Sequence, residues 1–399
     1  MKKIINLLLI LSILTISGVF AQDITNNTFG KGIKIKAADT TFSMKFSARI
    51  QTLYEGTMPF VNNKIDLGDV DHKFLTRRAR LKFSGFAYSP KLSYKMEIGL
   101  SNRDISGASA VTSGSPRLIL DAVVGYNFYK NFTILVGQTK LPGNRERVIS
   151  SSSLQLVDRS ALNSKFTLDR DAGVQILHKM NVNGVVIKED IAISIGEGRN
   201  RTAKNNGGLE YTGRVELLPF GEFKGKGDYV ASDLNREKTP KLAIGLTYDK
   251  NYQASLERSN LGSELAQTRT INTFFADLMY KYQGFSLMFE FANRNTGDIV
   301  PNFSFMDGSG NLVTQSFYTG QAYNIASGYL FPNNIELSAR ITNVTPEEVT
   351  GNNELNQYTF GVSKYFVGHS LKVQSDISVL GEKSKEDKLM FRLQLELGF

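Results

Sequence analysis

Apolar and polar residues alternate strictly over about ten positions at a time through most of the chain, and helical periodicity of 3.6 residues is scarce. A period of two marks a strand with one apolar and one polar face. The last segment is the cleanest. Leu389, Phe391, Leu393, Leu395, Leu397 and Phe399 point one way, and Met390, Arg392, Gln394, Glu396 and Gly398 point the other. Phe42, Met44, Phe46, Ala48 and Ile50 alternate in the same manner with Ser43, Lys45, Ser47, Arg49 and Gln51. Further runs include Ala79/Leu81/Phe83, Leu92/Tyr94/Met96/Ile98, Phe285/Leu287/Phe289/Phe291 and Leu371/Val373/Ser375/Ile377/Val379.

Links such as Tyr88-Ser89-Pro90, Tyr282-Gln283-Gly284 and Phe331-Pro332-Asn333-Asn334 are short, whereas residues 102–116, 198–208, 295–315 and 344–356 are long and polar. Short turns alternating with long loops fit a membrane barrel with short periplasmic turns. A soluble sandwich would alternate too, but its strands usually run five or six residues, and here the polar faces carry charges at successive positions. The expected fold is therefore all-β: a transmembrane antiparallel β-barrel of about sixteen strands spanning residues 41–399. Without Trp, its aromatic belt falls to Tyr and Phe, with Tyr54, Tyr88, Tyr126, Tyr280, Tyr282 and Tyr365 expected near strand ends.

Residues 1–21 read as a signal peptide, with Lys2 and Lys3 ahead of an apolar stretch and Val19-Phe20-Ala21 at the cleavage position. Residues 22–40 then form a periplasmic lead-in, and the mature protein is placed in the outer membrane. No later run of about 18 apolar residues offers a transmembrane helix. Loss of the two lysines takes the formal net charge from +9 to +7. That excess is small and dispersed along strands, which argues against nucleic acid as a partner.

The chain has no Cys, which excludes disulfides, thiolate metal sites and cysteine nucleophiles. Its three histidines, His72, His178 and His369, stand in no catalytic motif, so no enzyme is expected. Asp66-Leu67-Gly68-Asp69-Val70-Asp71 lacks the carboxylate spacing and distal Glu of an EF-hand. No metal and no cofactor are implied.

One stretch reads Arg77-Arg78-Ala79-Arg80-Leu81-Lys82-Phe83-Ser84-Gly85 followed by Leu92-Ser93-Tyr94-Lys95-Met96-Glu97. Another reads Gly137-Gln138-Thr139-Lys140-Leu141-Pro142, leading to Ser150–Ser153, Val157-Asp158-Arg159-Ser160 and Asp169-Arg170-Asp171-Ala172-Gly173-Val174. Both resemble the phosphate-selective porin O and P family. After Pro142 the chain departs from the family pattern, with Gly143-Asn144 where an aromatic is usual. The resemblance implies a sixteen-stranded barrel, a homotrimer, and conduction of anions across the outer membrane.

Selectivity in such a channel comes from the charges lining it, with Arg and Lys favouring anions. Arg78, Arg80 and Lys82 stand at alternate positions of one strand, about 6.6–7 Å apart. Lys91 and Lys95 share the polar face of the next strand, and Lys45 and Arg49 that of the first. Together they form an expected anion path through the lumen. Lys140, Arg145, Arg147, Arg159 and Arg170 are assigned to the long segment between two strands, residues 141–171, expected to fold inward as a constriction loop and narrow the channel. Its alternating charges serve equally well to pin it to the wall. The expected function is passive diffusion of small solutes, favouring anions such as phosphate, with outer-membrane lipid and lipopolysaccharide as surroundings. The alternative is a binding or structural barrel, such as an adhesin, receptor or secretion component.

Overall fold

The computed structural model describes residues 23–24 and 28–399, apart from 63, 106 and 108. The expected signal peptide, residues 1–21, lies outside the described residues. Sixteen long strands follow: β1 (Phe42–Val61), β2 (Asp71–Ala87), β3 (Ser89–Gly99), β4 (Ile119–Tyr129), β5 (Phe132–Lys140), β6 (Arg170–Val182), β7 (Val185–Ser194) and β8 (Glu210–Leu218). The second half comprises β9 (Lys241–Leu256), β10 (Glu264–Tyr282), β11 (Phe285–Asn295), β12 (Gly320–Leu330), β13 (Ile335–Pro346), β14 (Leu355–Val367), β15 (Leu371–Glu382) and β16 (Lys388–Gly398). Each pairs antiparallel with the next, and β16 returns to β1 with Gly398 opposite Arg49 and Lys388 opposite Pro59. In hydrocarbon every backbone donor and acceptor needs an internal partner, and closure supplies one with no open edge.

The burial pattern inverts that of a soluble protein. Along β16, Phe391, Leu393 and Leu395 are 38–48% exposed, while Arg392, Gln394 and Glu396 are at most 5% exposed. Apolar side chains therefore face outward, to lipid, and polar ones face the lumen.

One end of the barrel carries tight turns. Tyr88 alone joins β2 to β3, and Asn183-Gly184 and Gln283-Gly284 close two other hairpins with positive φ at both residues, the geometry that matches strand twist. Ser89 and Pro90 belong to β3 rather than to the link. The opposite end carries the longer loops, one holding a separate hairpin of Asn302–Met306 and Leu312–Ser316. The exception at the turn end is residues 219–240, between β8 and β9.

The belt expectation needs one correction. Tyr365 is 2% exposed and points inward, where its hydroxyl donates to Glu336 at 2.5 Å. Its odd register with Ser363 places it on the lumen face, while Lys364 and Phe366 take the outer one.

Candidate functional site

Residues 141–169 leave the loop end and fold into the barrel. The segment's base is fixed by the ladder pair Lys140–Arg170, so both residues belong to strands, and Arg170 is not part of the loop where sequence spacing placed it. Inside lie two short helices, α1 (Arg145–Val148) and α2 (Ala161–Phe166). Ser160 caps α2, its Oγ accepting from the Asn163 N–H at 3.1 Å. Gly137, in β5 just ahead, has φ +125°, and a Cβ there would stand 2.3 Å from the Ala122 carbonyl oxygen. Only glycine fits that close approach.

The segment docks through apolar contacts onto one side of the wall. Leu141, Leu162, Phe166 and Leu168 pack with Phe275, Ala292, Ala322, Tyr318 and Val344. Ile149 and Leu154 pack with Val186, Ala243, Met279, Met288 and Ala326. Each large side chain so buried contributes about 1.5–3 kcal/mol.

Polar clamps complete the docking. Arg145 is fully buried, and its Nε donates to Asp277 at 2.6 Å and its Nη2 to Glu216 at 3.0 Å. Arg214 bridges the same two carboxylates. Asp376 accepts from the Val157 N–H at 3.0 Å, and Arg340 donates to the Asp158 carbonyl at 2.8 Å. From the turn end, residues 219–240 come up to meet this plug. The Asp228 carbonyl accepts from Arg145 at 2.9 Å, and the Ala231 N–H donates to the Ser153 carbonyl at 2.9 Å. Lys281 reaches the Val230 and Ser232 carbonyls, both at 2.7 Å. Two segments from opposite ends thus fill the side of the lumen bounded by β8–β15.

The side bounded by β1–β4 stays open. Its loop-end chamber is lined by Arg77, Arg78, Arg80, Arg103, Arg147, Arg159, Arg170 and Arg199 against Asp104, Asp158 and Asp169. Its turn-end chamber has Lys31, Lys45, Arg49, Arg80 and Lys82 against Glu97 and Glu396. Arg80 lines both. Ser151 on the plug accepts from Arg49 at 3.0 Å and from Arg80 at 3.5 Å, so the plug touches the basic wall between the two chambers.

Individual residues divide by partner. Lys45 and Lys82 line the turn-end chamber and form no ion pair among the described residues. Arg80 is held by Asp104, at 2.7 and 2.5 Å, and by Glu97 at 3.2 Å. Arg49 faces Glu396 at 3.6 Å, and Lys95 bonds Asp121 at 3.0 Å. Arg78 is 2% exposed, between Gln51 at 2.7 Å and Asp158 at 3.2 Å; it secures the plug. Lys91 is exposed, near the turn-end rim, and lines neither chamber.

Among the loop residues, Arg147 pairs with Asp169 in the loop-end chamber. Arg159 donates to the Glu146 and Ile149 carbonyls at 2.9 and 2.7 Å, and among the described residues its guanidinium forms no ion pair. Lys140 binds the carbonyls of Arg147, Val148 and Ile149, closing the end of α1. Arg170 pairs with Asp121 at 3.1 Å. Arg145 faces away from the open side, because its charge is consumed by Asp277 and Glu216.

Arg77, Arg103 and Arg199 escape the alternation rule. Arg77 turns inward because β2 has one extra residue there: Gln51 faces Arg78 and Thr52 faces Thr76. Such a bulge redirects side chains, and both arginines reach Asp158. Burial raises the Asp158 carboxyl and the guanidiniums of Arg77 and Arg78 lower it more, so it sits well below the usual carboxylate range. Arg103 and Arg199 come from loops distant in sequence. Among the described residues, no group of three or more His, Asp or Glu is arranged to hold a metal ion.

A family model described as phosphate-selective porin O and P matches residues 49–377. An uncharacterized protein of Aquifex aeolicus is 24% identical over 383 residues, 84% of each chain. The outer membrane channel DcaP of Acinetobacter baumannii superposes with a TM-score of 0.55, covering 91% of this chain and 99% of that one at 12% identity. An anion-selective porin from Comamonas acidovorans gives 0.52, covering 90% and 100%, also at 12% identity. At that identity the two structures show likeness of fold alone.

Proposed function

The chain belongs to the phosphate-selective porin O and P family and is an outer-membrane channel, and we propose that it passes small anions, phosphate among them, along the β1–β4 wall. What carries this reading is the charge imbalance of the open side. Eight arginines face three aspartates in one chamber, and five cations face two glutamates in the other. A low-dielectric wall focuses such a field and raises the local concentration of counter-ions. Arg offers a fork of donors matched to phosphate or carboxylate, and Lys a mobile point charge. Arg80, Lys82, Arg49 and Lys45 are the proposed path residues, with Arg147, Arg159 and Arg170 at its loop-end entry. Arg78 and Arg145 act through the plug they hold.

The protein does no bond chemistry in this reading. Its molecules assemble as trimers, an arrangement carried over from the family resemblance and tested by cross-linking in native membranes.

The deciding experiment is single-channel recording in a planar bilayer, with the reversal potential measured under a salt gradient and inorganic phosphate added. Anion-directed reversal and reduction of chloride current by phosphate are expected. Neutral or cation-directed reversal overturns the anion preference. Absence of conductance from a folded barrel favours the binding or structural alternative.

A further inference from the structure

The outer wall has a groove near the loop end, where β7, β8 and β9 run side by side. Gly213 of β8 is in register with Ile191 on β7 and Tyr248 on β9, and Tyr211 with Ile193 and Lys250. The outward neighbours of Gly213 along β8 are Tyr211 and Val215, both large and exposed. At Gly213 itself a Cβ would meet nothing within 4 Å. Its φ is not positive, so no turn or strain calls for glycine, and an interior glycine otherwise weakens a strand. The missing side chain opens a groove of about 590 Å³ between Ile191, Ile193 and Tyr248.

At its loop-end limit stands a charge. Lys250 points outward, with its Nζ 4.7 Å from the Tyr252 ring centroid, and Tyr252 meets Tyr211 edge-on at 5.7 Å. Lys250 forms no ion pair among the described residues. An outward lysine is tolerated on a barrel only near the interface, where it meets headgroups. An apolar slot running into the membrane with a fixed cation and aromatic rings at its mouth matches an acyl chain attached to a phosphorylated head.

We propose that this groove seats one acyl chain of a phosphorylated outer-leaflet glycolipid, with the lipid phosphate on Lys250. The inference rests on the outer-membrane reading, with the loop end outward, and is independent of the anion path. A zwitterionic phospholipid fits less well, because its own ammonium group repels Lys250.

Native mass spectrometry of the detergent-solubilised barrel tests it, with bisphosphorylated lipid A, dephosphorylated lipid A and phosphatidylethanolamine each added as probe. Wild type is expected to retain one bisphosphorylated lipid A and to retain the other two probes at least several-fold less. Lys250→Ala is expected to lower lipid A retention to the level of the dephosphorylated probe. Gly213→Leu, filling the slot, is expected to abolish it, with the barrel verified by its heat-modifiable mobility. Lys82→Ala, on the lumen face, should retain lipid A as wild type does, whatever it does to ion selectivity. Equal retention by wild type and Lys250→Ala, or equal retention of phosphatidylethanolamine and lipid A, overturns the proposal.

Discussion

Asp158, on the plug, accepts from Arg77 at 2.6 Å, although its partner belongs to a wall strand 81 positions earlier. Arg78 reaches the other carboxylate oxygen at 3.2 Å. One carboxylate thus ties the inward segment to the strand that also carries Arg80 and Lys82. The bulge at Arg77 is what permits two consecutive arginines to meet one acceptor.

Removing that acceptor should loosen the plug. Asp158→Asn leaves Arg78 buried without its counter-charge. Because Asp158 is partly exposed, the expected cost is about 2–3 kcal/mol, below the ~3–5 kcal/mol of a fully buried pair. Thermal unfolding followed by circular dichroism checks this, and single-channel traces should show added open-state noise.

The same contact sets a pH response. The folded-state pKa of Asp158 is depressed, so its contribution is fully present above the unfolded value, near 3.9. It is lost only as pH falls through the lower, folded value. Channel noise arising from a loosened Asp158 anchor should therefore stay constant from pH 7 to pH 4 and rise only in stronger acid.

Path residues and plug residues should separate in recordings. Lys82→Glu replaces an unpaired lumen cation and should move the reversal potential toward cations while leaving thermal stability within about 0.5 kcal/mol, as for substitutions that break no buried contact. Lys45→Glu should act in the same direction.

Arg145→Met should do the opposite. It leaves Asp277 to Arg214 alone and Glu216 to Arg214 and Lys188, with an expected loss of about 3–5 kcal/mol. Anion preference per open channel should change little, because Arg145 faces away from the open side. Equal selectivity shifts in Lys82→Glu and Arg145→Met would refute the division.

Phe166→Ala removes the α2 anchor from the cluster around Phe275 and Tyr318. A cost of about 3–5 kcal/mol is expected, together with larger conductance as the plug shifts. Conductance and melting temperature measured on one preparation decide it.

Part of the plug's docking face was legible in advance. β10 and β11 carry apolar residues on both faces, with Phe274 beside Phe275, Leu278 beside Met279, and Phe291 beside Ala292, although Asp277, Lys281, Glu290 and Arg294 share the inward face. A barrel strand facing water would not need Phe275, Met279 or Met288 inward; all three are at most 5% exposed. Such doubled apolarity says that something covers the lumen face, though not what. Residues 219–240 gave less warning, because Asp228, Val230 and Ser232 receive Arg145 and Lys281 through backbone carbonyls, which carry no residue identity.

The alternation along the chain determined the barrel, a strand number of about sixteen and which face of each strand meets lipid, because the membrane imposes a binary choice at every second residue. It also determined that Lys45, Arg49, Arg80, Lys82 and Lys95 face inward. Tertiary structure alone decided which inward charges remain open to the channel. Arg78 and Arg145 are neutralised by Asp158, Asp277 and Glu216, and Arg77 is turned inward by one extra residue. Arg103 and Arg199 arrive from separate loops. A charge's availability depends on its distance to partners remote in sequence, and period-two patterning holds no information about that distance.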